Sequence, residues 1–236
     1  MSRVARSHRR TARELLSGSR RTRTDVKKKT KTILSSVLGV AALMAVIQVS
    51  SVVLIEAMQL ERNEKFVSAN YTGRDGSDAL VVYFSRSGNT ELMAMEIAKA
   101  KRARTIRLVD ESYKIGFIGW VNALRDARRK EASITPSSVD LSPYGTVYIG
   151  SPIWLYSPAP PIWEFVNSND FSGKRVVLFN SLNSNFDQKY IDEFADLVRQ
   201  RGGSFEAHIH VIRGRMTRQM DVDDFLTEVR RLLERM

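Results

Sequence analysis

The residues most suited to chemistry lie in one short segment, Ser85-Arg86-Ser87-Gly88-Asn89-Thr90, set between an apolar run and a helical pattern. Hydroxyls at Ser85, Ser87 and Thr90 can each donate to a phosphate oxygen. Gly88 lets the backbone bend so that amide N–H groups converge, and a helix beginning near Thr90 adds the positive end of its dipole. A helix cap alone would need only one or two of these residues. The segment lacks the Gly-Lys-Ser/Thr ending of a nucleotide-triphosphate loop and the Gly-x-Gly-x-x-Gly dinucleotide pattern. Its chemistry is therefore expected to be the cradling of a phosphate group.

Two further segments carry polar and aromatic groups. The first, Gly150–Pro161, places Ser151, Pro152, Ile153, Trp154 and Tyr156 before a cluster of prolines. A tryptophan bracketed by prolines in a loop suits a ligand better than a core, whereas Trp120 and Trp163 fall on helical patterns and read as core. The second segment, Asn180 to Asp187, holds Asn180, Ser181 and Asn183. His208 and His210 share one face of an expected edge strand, without a carboxylate partner, and read as exposed. Arg213-Gly214-Arg215 reads as a basic turn, the alternative being contact with an acidic partner or a dinucleotide phosphate. No acid–base or nucleophilic constellation stands out. The absence of cysteine excludes thiolate metal sites, disulfides and cysteine nucleophiles.

The elements that position these segments follow from their periodicity. Strands are expected at Ala79–Phe84, Thr105–Val109, Gly145–Ser151, Arg175–Ser181 and Phe205–Ile212. Helical patterns follow each: one from Thr90, then Gly119–Lys130, one around Ile162–Val166, Ile191–Arg201, and a stripe from Val222 to Leu233. Alternation of this kind implies a doubly wound α/β fold with a five-stranded parallel sheet. Right-handed crossovers allow the order 2-1-3-4-5, which reverses between the first and third strands. Ligands bind outside the carboxyl ends at such a reversal. That places the loops after Phe84 and after Ser151 side by side.

With these residues in place, the segment 79–236 resembles the flavodoxin family. The likeness rests on an apolar strand ending in an aromatic, on Ser-x-Ser-Gly-Asn-Thr, and on Gly-Ser-Pro-Ile-Trp followed by small residues and prolines. It implies a flavodoxin-like fold that binds flavin mononucleotide (FMN) non-covalently. Ser85, Arg86, Ser87, Gly88, Asn89 and Thr90 would hold the phosphate. Ser151, Pro152, Ile153, Trp154 and Tyr156 would flank the isoalloxazine. The third loop departs from the family's glycine-rich turn, and Asn180, Ser181 and Asn183 would meet the pyrimidine edge. No metal is implied.

The net charge of +11 is concentrated at the N-terminus. Residues 1–32 hold twelve Lys and Arg against Glu14 and Asp25, so the rest of the chain is nearly neutral and nucleic acid is not an expected partner. From Ile33 to Ile55 there is no charge at all. A helix of that length rises about 34 Å, enough to cross a hydrocarbon core of about 30 Å. The expected organisation is a basic arm (1–32), a single transmembrane helix (33–56), a polar linker (57–78) and the α/β domain (79–236). Basic flanks stay inside, which puts the N-terminus in the cytoplasm and the domain beyond the cell membrane. The roles this implies are electron transfer to a redox partner protein, or nicotinamide-dependent reduction of a quinone-like acceptor. The alternative is a flavodoxin fold that has lost FMN and serves as a tethered scaffold module.

Overall fold

The computed structural model describes residues 4–71, 78–215 and 218–236, with side chains at Lys31 and from Leu34 onward. It divides into two compact units, Met1–Ser50 and Ser51–Met236. The first unit is helical from Val4, the start of helix α1 (Val4–Asn70). Within Leu34–Asn70 an 18-residue window reaches a mean hydropathy of 2.4 with none of it buried, so this helix is long and apolar enough to cross a membrane.

In the second unit, α1 continues through the segment expected to be a polar linker. Residues 57–70 form helix rather than linker, and residues 72–77 lie outside the described residues. Good helix formers and a Glu61–Lys65 pair at i,i+4 (2.7 Å) favour helix here. The face turned inward carries Gln59 and Asn63, both nearly fully buried, followed by the partly buried Phe66 and Val67. Their spacing is helical, but half of this stripe is polar, so hydrophobic periodicity gives no sign of it.

The sheet is built from β1 (Ala79–Phe84), β2 (Arg104–Leu108), β3 (Thr146–Trp154), β5 (Arg175–Leu182) and β6 (Ser204–Ile212), with the two-residue β4 (Ser157–Pro158) folded back antiparallel on the end of β3. The order β2-β1-β3-β5-β6 is parallel throughout. It is the expected winding, with a sixth, very short strand beside it. Gly150 sits opposite Phe179 in the register, and a Cβ there would meet the Phe179 ring at 2.1 Å.

Alternation along the strands feeds two cores. Leu80, Val82 and Phe84 of β1, with Val147, Ile149, Val176 and Leu178, pack beneath α4 (Pro160–Asn167) and α5 (Gln188–Gln200). Ala79, Val81 and Tyr83, with Tyr148, Val177 and Phe179, pack beneath α2 (Asn89–Lys101) and α6 (Val222–Leu233). A sheet covered on both faces explains why β1 is buried at every position. The remaining helix, α3 (Phe117–Asp126), follows a short turn at Glu111–Tyr113. All five βα loops leave the carboxyl edge of the sheet, and the site forms there.

Candidate functional site

The loop after β1 turns into α2 through Gly88, whose φ of +84° is a left-handed conformation that glycine adopts without strain. Gly88 stands at the N-cap of α2 and has no side chain to cap the helix start. The Ser85 hydroxyl is buried and has no hydrogen-bond partner among the described residues. Thr90 Oγ1 and Ser181 Oγ lie 2.7 Å apart, joining this loop to the end of β5. Ser87 is half-buried.

These groups line a cleft of about 560 Å³, open solvent included. Ser85, Arg86, Ser87, Asn89 and Thr90 come from the first loop. Pro152, Ile153 and Trp154 come from the second, and Ser181 and Asn183 from the third. The structure thus brings all three expected loops to one cavity. Trp154 meets Phe84 edge-on at 5.6 Å and Tyr113 at 5.1 Å, which fixes the ring at the cleft wall.

Four of the expected site residues stand elsewhere. Gly88 shapes the loop from behind, and its Cβ position would lie 2.6 Å from the Asn63 Cβ. Ser151 accepts from the Ala159 N–H at 3.0 Å and donates to the Pro152 carbonyl at 3.0 Å, bracing the second loop. Asn180 is fully buried, donating to the Ser151 carbonyl at 2.8 Å and lying 2.9 Å from His208 Nε2 through its Oδ1. Tyr156 is exposed at the turn between β3 and β4, where Leu155 and Tyr156 have φ of 42° and 77°.

Arg86 is nearly buried and fully engaged. It pairs with Glu56 of α1, and donates to the carbonyls of Tyr113 at 3.1 Å and Gly116 at 3.4 Å. Its charge is thus neutralised from the side of α1. A second cationic group, Arg213, also lines the cleft and is 5% exposed. It donates to the Asp221 carbonyl at 3.1 Å and lies 4.7 Å over the Phe225 ring, but its Nε has no partner among the described residues. Burial lowers its pKa to about 10, with Arg62 adding to the effect, which leaves it charged at neutral pH.

Glu56, Gln59, Leu182, Arg213 and Gln219 complete the wall, and none of the five is among the site residues expected from sequence. Gln59 and Gln219 hydrogen-bond to each other through their side chains. The one available signal was Arg213 itself, a cation placed directly after a strand that ends at the ligand-binding edge. Among the described residues no cluster of His, Asp and Glu could hold a metal. His208 is partly buried rather than exposed, and His210 is exposed. Phe186 packs edge-on against both rings.

The lining fits the phosphate of FMN. Among the described residues, a buried hydroxyl and a buried guanidinium N–H without partners, beside a left-handed glycine at a helix start, favour an anion.

The chain is similar in fold to a flavoprotein from Bacteroides uniformis at 21% identity and a TM-score of 0.52, covering 68% of this chain and 99% of that one. A flavoprotein from Bacteroides eggerthii gives 18% identity and a TM-score of 0.50, covering 67% and 97%. A flavoprotein from Lactobacillus acidophilus in complex with FMN gives 19% identity and a TM-score of 0.45, covering 59% and 93%. Among curated proteins none matches the chain. Residues 78–198, just over half of the chain, match the family model described as Flavodoxin. The chain belongs to the flavodoxin family of FMN-binding flavoproteins.

Proposed function

We propose that the protein is a membrane-anchored flavodoxin-family redox protein that holds FMN in the cleft between its three carboxyl-edge loops. The observation that carries this reading is the unpartnered Ser85 hydroxyl beside the left-handed Gly88, within one cavity with Trp154 and Arg213. A scaffold module would have no use for a buried hydroxyl and a buried guanidinium N–H without partners among the described residues, each of which costs about 1–3 kcal/mol.

In this reading Ser85, Ser87 and Thr90 with the loop amides bind the phosphate, and Arg213 supplies countercharge. Pro152, Ile153 and Trp154 orient the ring system and exclude water from one side of it. Ser181 and Asn183 meet its polar edge. When bound, FMN supplies the single-electron and hydride chemistry, and the protein tunes and positions it. The near-neutral domain lacks the acidic surface that would favour docking on basic soluble partners, which supports a quinone-like or membrane-held acceptor.

The apolar run Ile33–Ile55 supports a single span, with the basic arm in the cytoplasm and the domain on the other side. Two assays test the reading. The full chain in vesicles, supplied with FMN and reduced nicotinamide, should reduce a lipid-soluble quinone; turnover dependent only on a soluble acceptor protein would favour a carrier role. A reporter fused at the C-terminus should be active outside the cytoplasm, and activity only inside would reverse the orientation.

A further inference from the structure

We infer that the carboxyl edge of the sheet, the edge bearing the cofactor cleft, rests against the surface of the lipid bilayer. The inference builds on the reading of Ile33–Ile55 as a membrane span.

Within the second unit, α1 runs across the α/β domain to its carboxyl edge. Followed backwards from Tyr71, its partners step steadily across the sheet. The Tyr71 hydroxyl donates to Glu96, late in α2, at 2.5 Å. Asn63 Nδ2 donates to Asn89 Oδ1, at the start of α2, at 3.1 Å and to the Ser87 carbonyl at 2.9 Å. Glu56 pairs with Arg86, in the loop leaving β1. Since α2 starts at the carboxyl edge and runs back from it, this series approaches the carboxyl edge and reaches it at Glu56. The uncharged run ends one residue earlier, at Ile55. Gln59, which lines the cleft, is only about 6 Å further along the helix axis than Ile55.

Exposed apolar side chains gather at the same edge. Val109 follows β2, and Phe117 and Ile118 open α3 in the same connection, at 58% and 74% exposure. Val121 and Leu124 continue that stripe along α3. Leu155 and Tyr156 form the turn after β3, Ile212 ends β6, and Met220 lies between β6 and α6. The opposite edge is polar in its turns, with Lys101-Arg102, Asp170 to Lys174 and Arg201-Gly202. Met236, the last residue, is the exception there among the described residues. Single exposed apolar residues are ordinary, but their gathering at one edge marks a contact surface.

Arg86 links the two observations. Its guanidinium touches both Glu56, the first charge after the apolar run, and the carbonyl of Gly116, the residue before Phe117. The exposed start of α3 is therefore held within a few ångströms of where the run ends. A tether this short favours lipid as the occupant over a soluble protein. The cleft wall formed by Ile153 and Trp154, with the Leu155–Tyr156 turn beside it, then faces the interface, and the redox partner is one dissolved in that membrane.

Because the chain has no cysteine, single labels can be placed without background. The full chain carrying a spin label at Ile118→Cys or Ile212→Cys would be reconstituted in phosphatidylcholine–phosphatidylglycerol vesicles. Glu234→Cys serves as the opposite-edge control and Leu43→Cys as the control within the span. Collision with oxygen, relative to a water-soluble nickel chelate, should be severalfold higher at 118 and 212 than at 234, approaching the value at 43. Values at 118 and 212 equal to that at 234, with a lipid-like value at 43, would overturn the inference and leave the anchor standing. A water-like value at 43 would remove the anchor, and this inference with it.

Discussion

Asn63 of α1 donates its side-chain N–H to the carbonyl of Ser87 at 2.9 Å, so the Ser85–Thr90 loop is held in part by the helix that leads from the apolar run. The same nitrogen reaches Asn89 Oδ1 at 3.1 Å, and Asn63 is almost fully buried. The loop is thus shaped by a residue 24 positions upstream rather than by its own turn alone. Replacing Asn63 with Leu would strip two loop acceptors of their partner in a buried place. The expected cost is about 1–3 kcal/mol in stability, with weaker FMN retention. Denaturant titration and FMN fluorescence quenching of the detergent-solubilised chain would read both effects, and an unchanged affinity would detach α1 from the site.

Gly88 combines a left-handed φ of +84° with close approach to Asn63. Alanine there would meet both penalties, of which the backbone part is about 1–2 kcal/mol. The double change Gly88→Ala with Asn63→Gly should relieve the contact, and the single Asn63→Gly variant accounts for the hydrogen bonds lost with the Asn63 side chain and for glycine in the helix. In the cycle of both single variants and the double, the double should lose less FMN affinity and stability than the two singles added together, and strict additivity would show that the contact is immaterial.

Arg213 offers a buried guanidinium to an anion, so its removal should distinguish FMN from riboflavin. Arg213→Ala is expected to weaken FMN by about tenfold or more, as loss of a charge-assisted hydrogen bond of about 1.5–3 kcal/mol implies. Riboflavin, lacking the phosphate, should change little. Titration of both ligands tests the point, and equal loss for the two would place Arg213 in packing rather than in phosphate recognition.

Burial beside Phe186 lowers the pKa of His208 from 6.5 to about 4, and His210 adds to the shift. The unfolded chain takes up this proton near pH 6.5, whereas the folded chain resists it until about pH 4. Stability from this group is therefore complete above about pH 6.5 and is lost as the pH falls toward 4, by at most about 3 kcal/mol. A His208→Asn variant should show a shallower loss of stability than the parent over that range. Parallel slopes in chemical denaturation would contradict this origin.

Much of this architecture was legible in the sequence, and its gaps have physical causes. The bounds of β1 match because a strand covered on both faces is apolar at every position, and the α6 stripe from Val222 to Leu233 announces itself by period. The helix over 57–70 was not legible, because Gln59 and Asn63 occupy its buried face and make it look polar. At the strand ends, residue type could not tell inward from outward. Ser181 lines the cleft while its neighbour Asn180 turns into the sheet, as alternation along a strand demands. Glu56 and Gln219 reach the cleft only through tertiary packing, which no local pattern records.

The central claim is that the Ser85–Thr90 cradle holds FMN. The most direct measurement is the visible spectrum of the purified full chain in detergent, before and after adding FMN, with the released cofactor identified by mass. Flavin absorption bands and mononucleotide freed on denaturation are predicted, both lost in a Ser87→Asp/Thr90→Asp variant that keeps its far-ultraviolet circular dichroism. A folded parent chain that carries no flavin and takes none up would contradict the account.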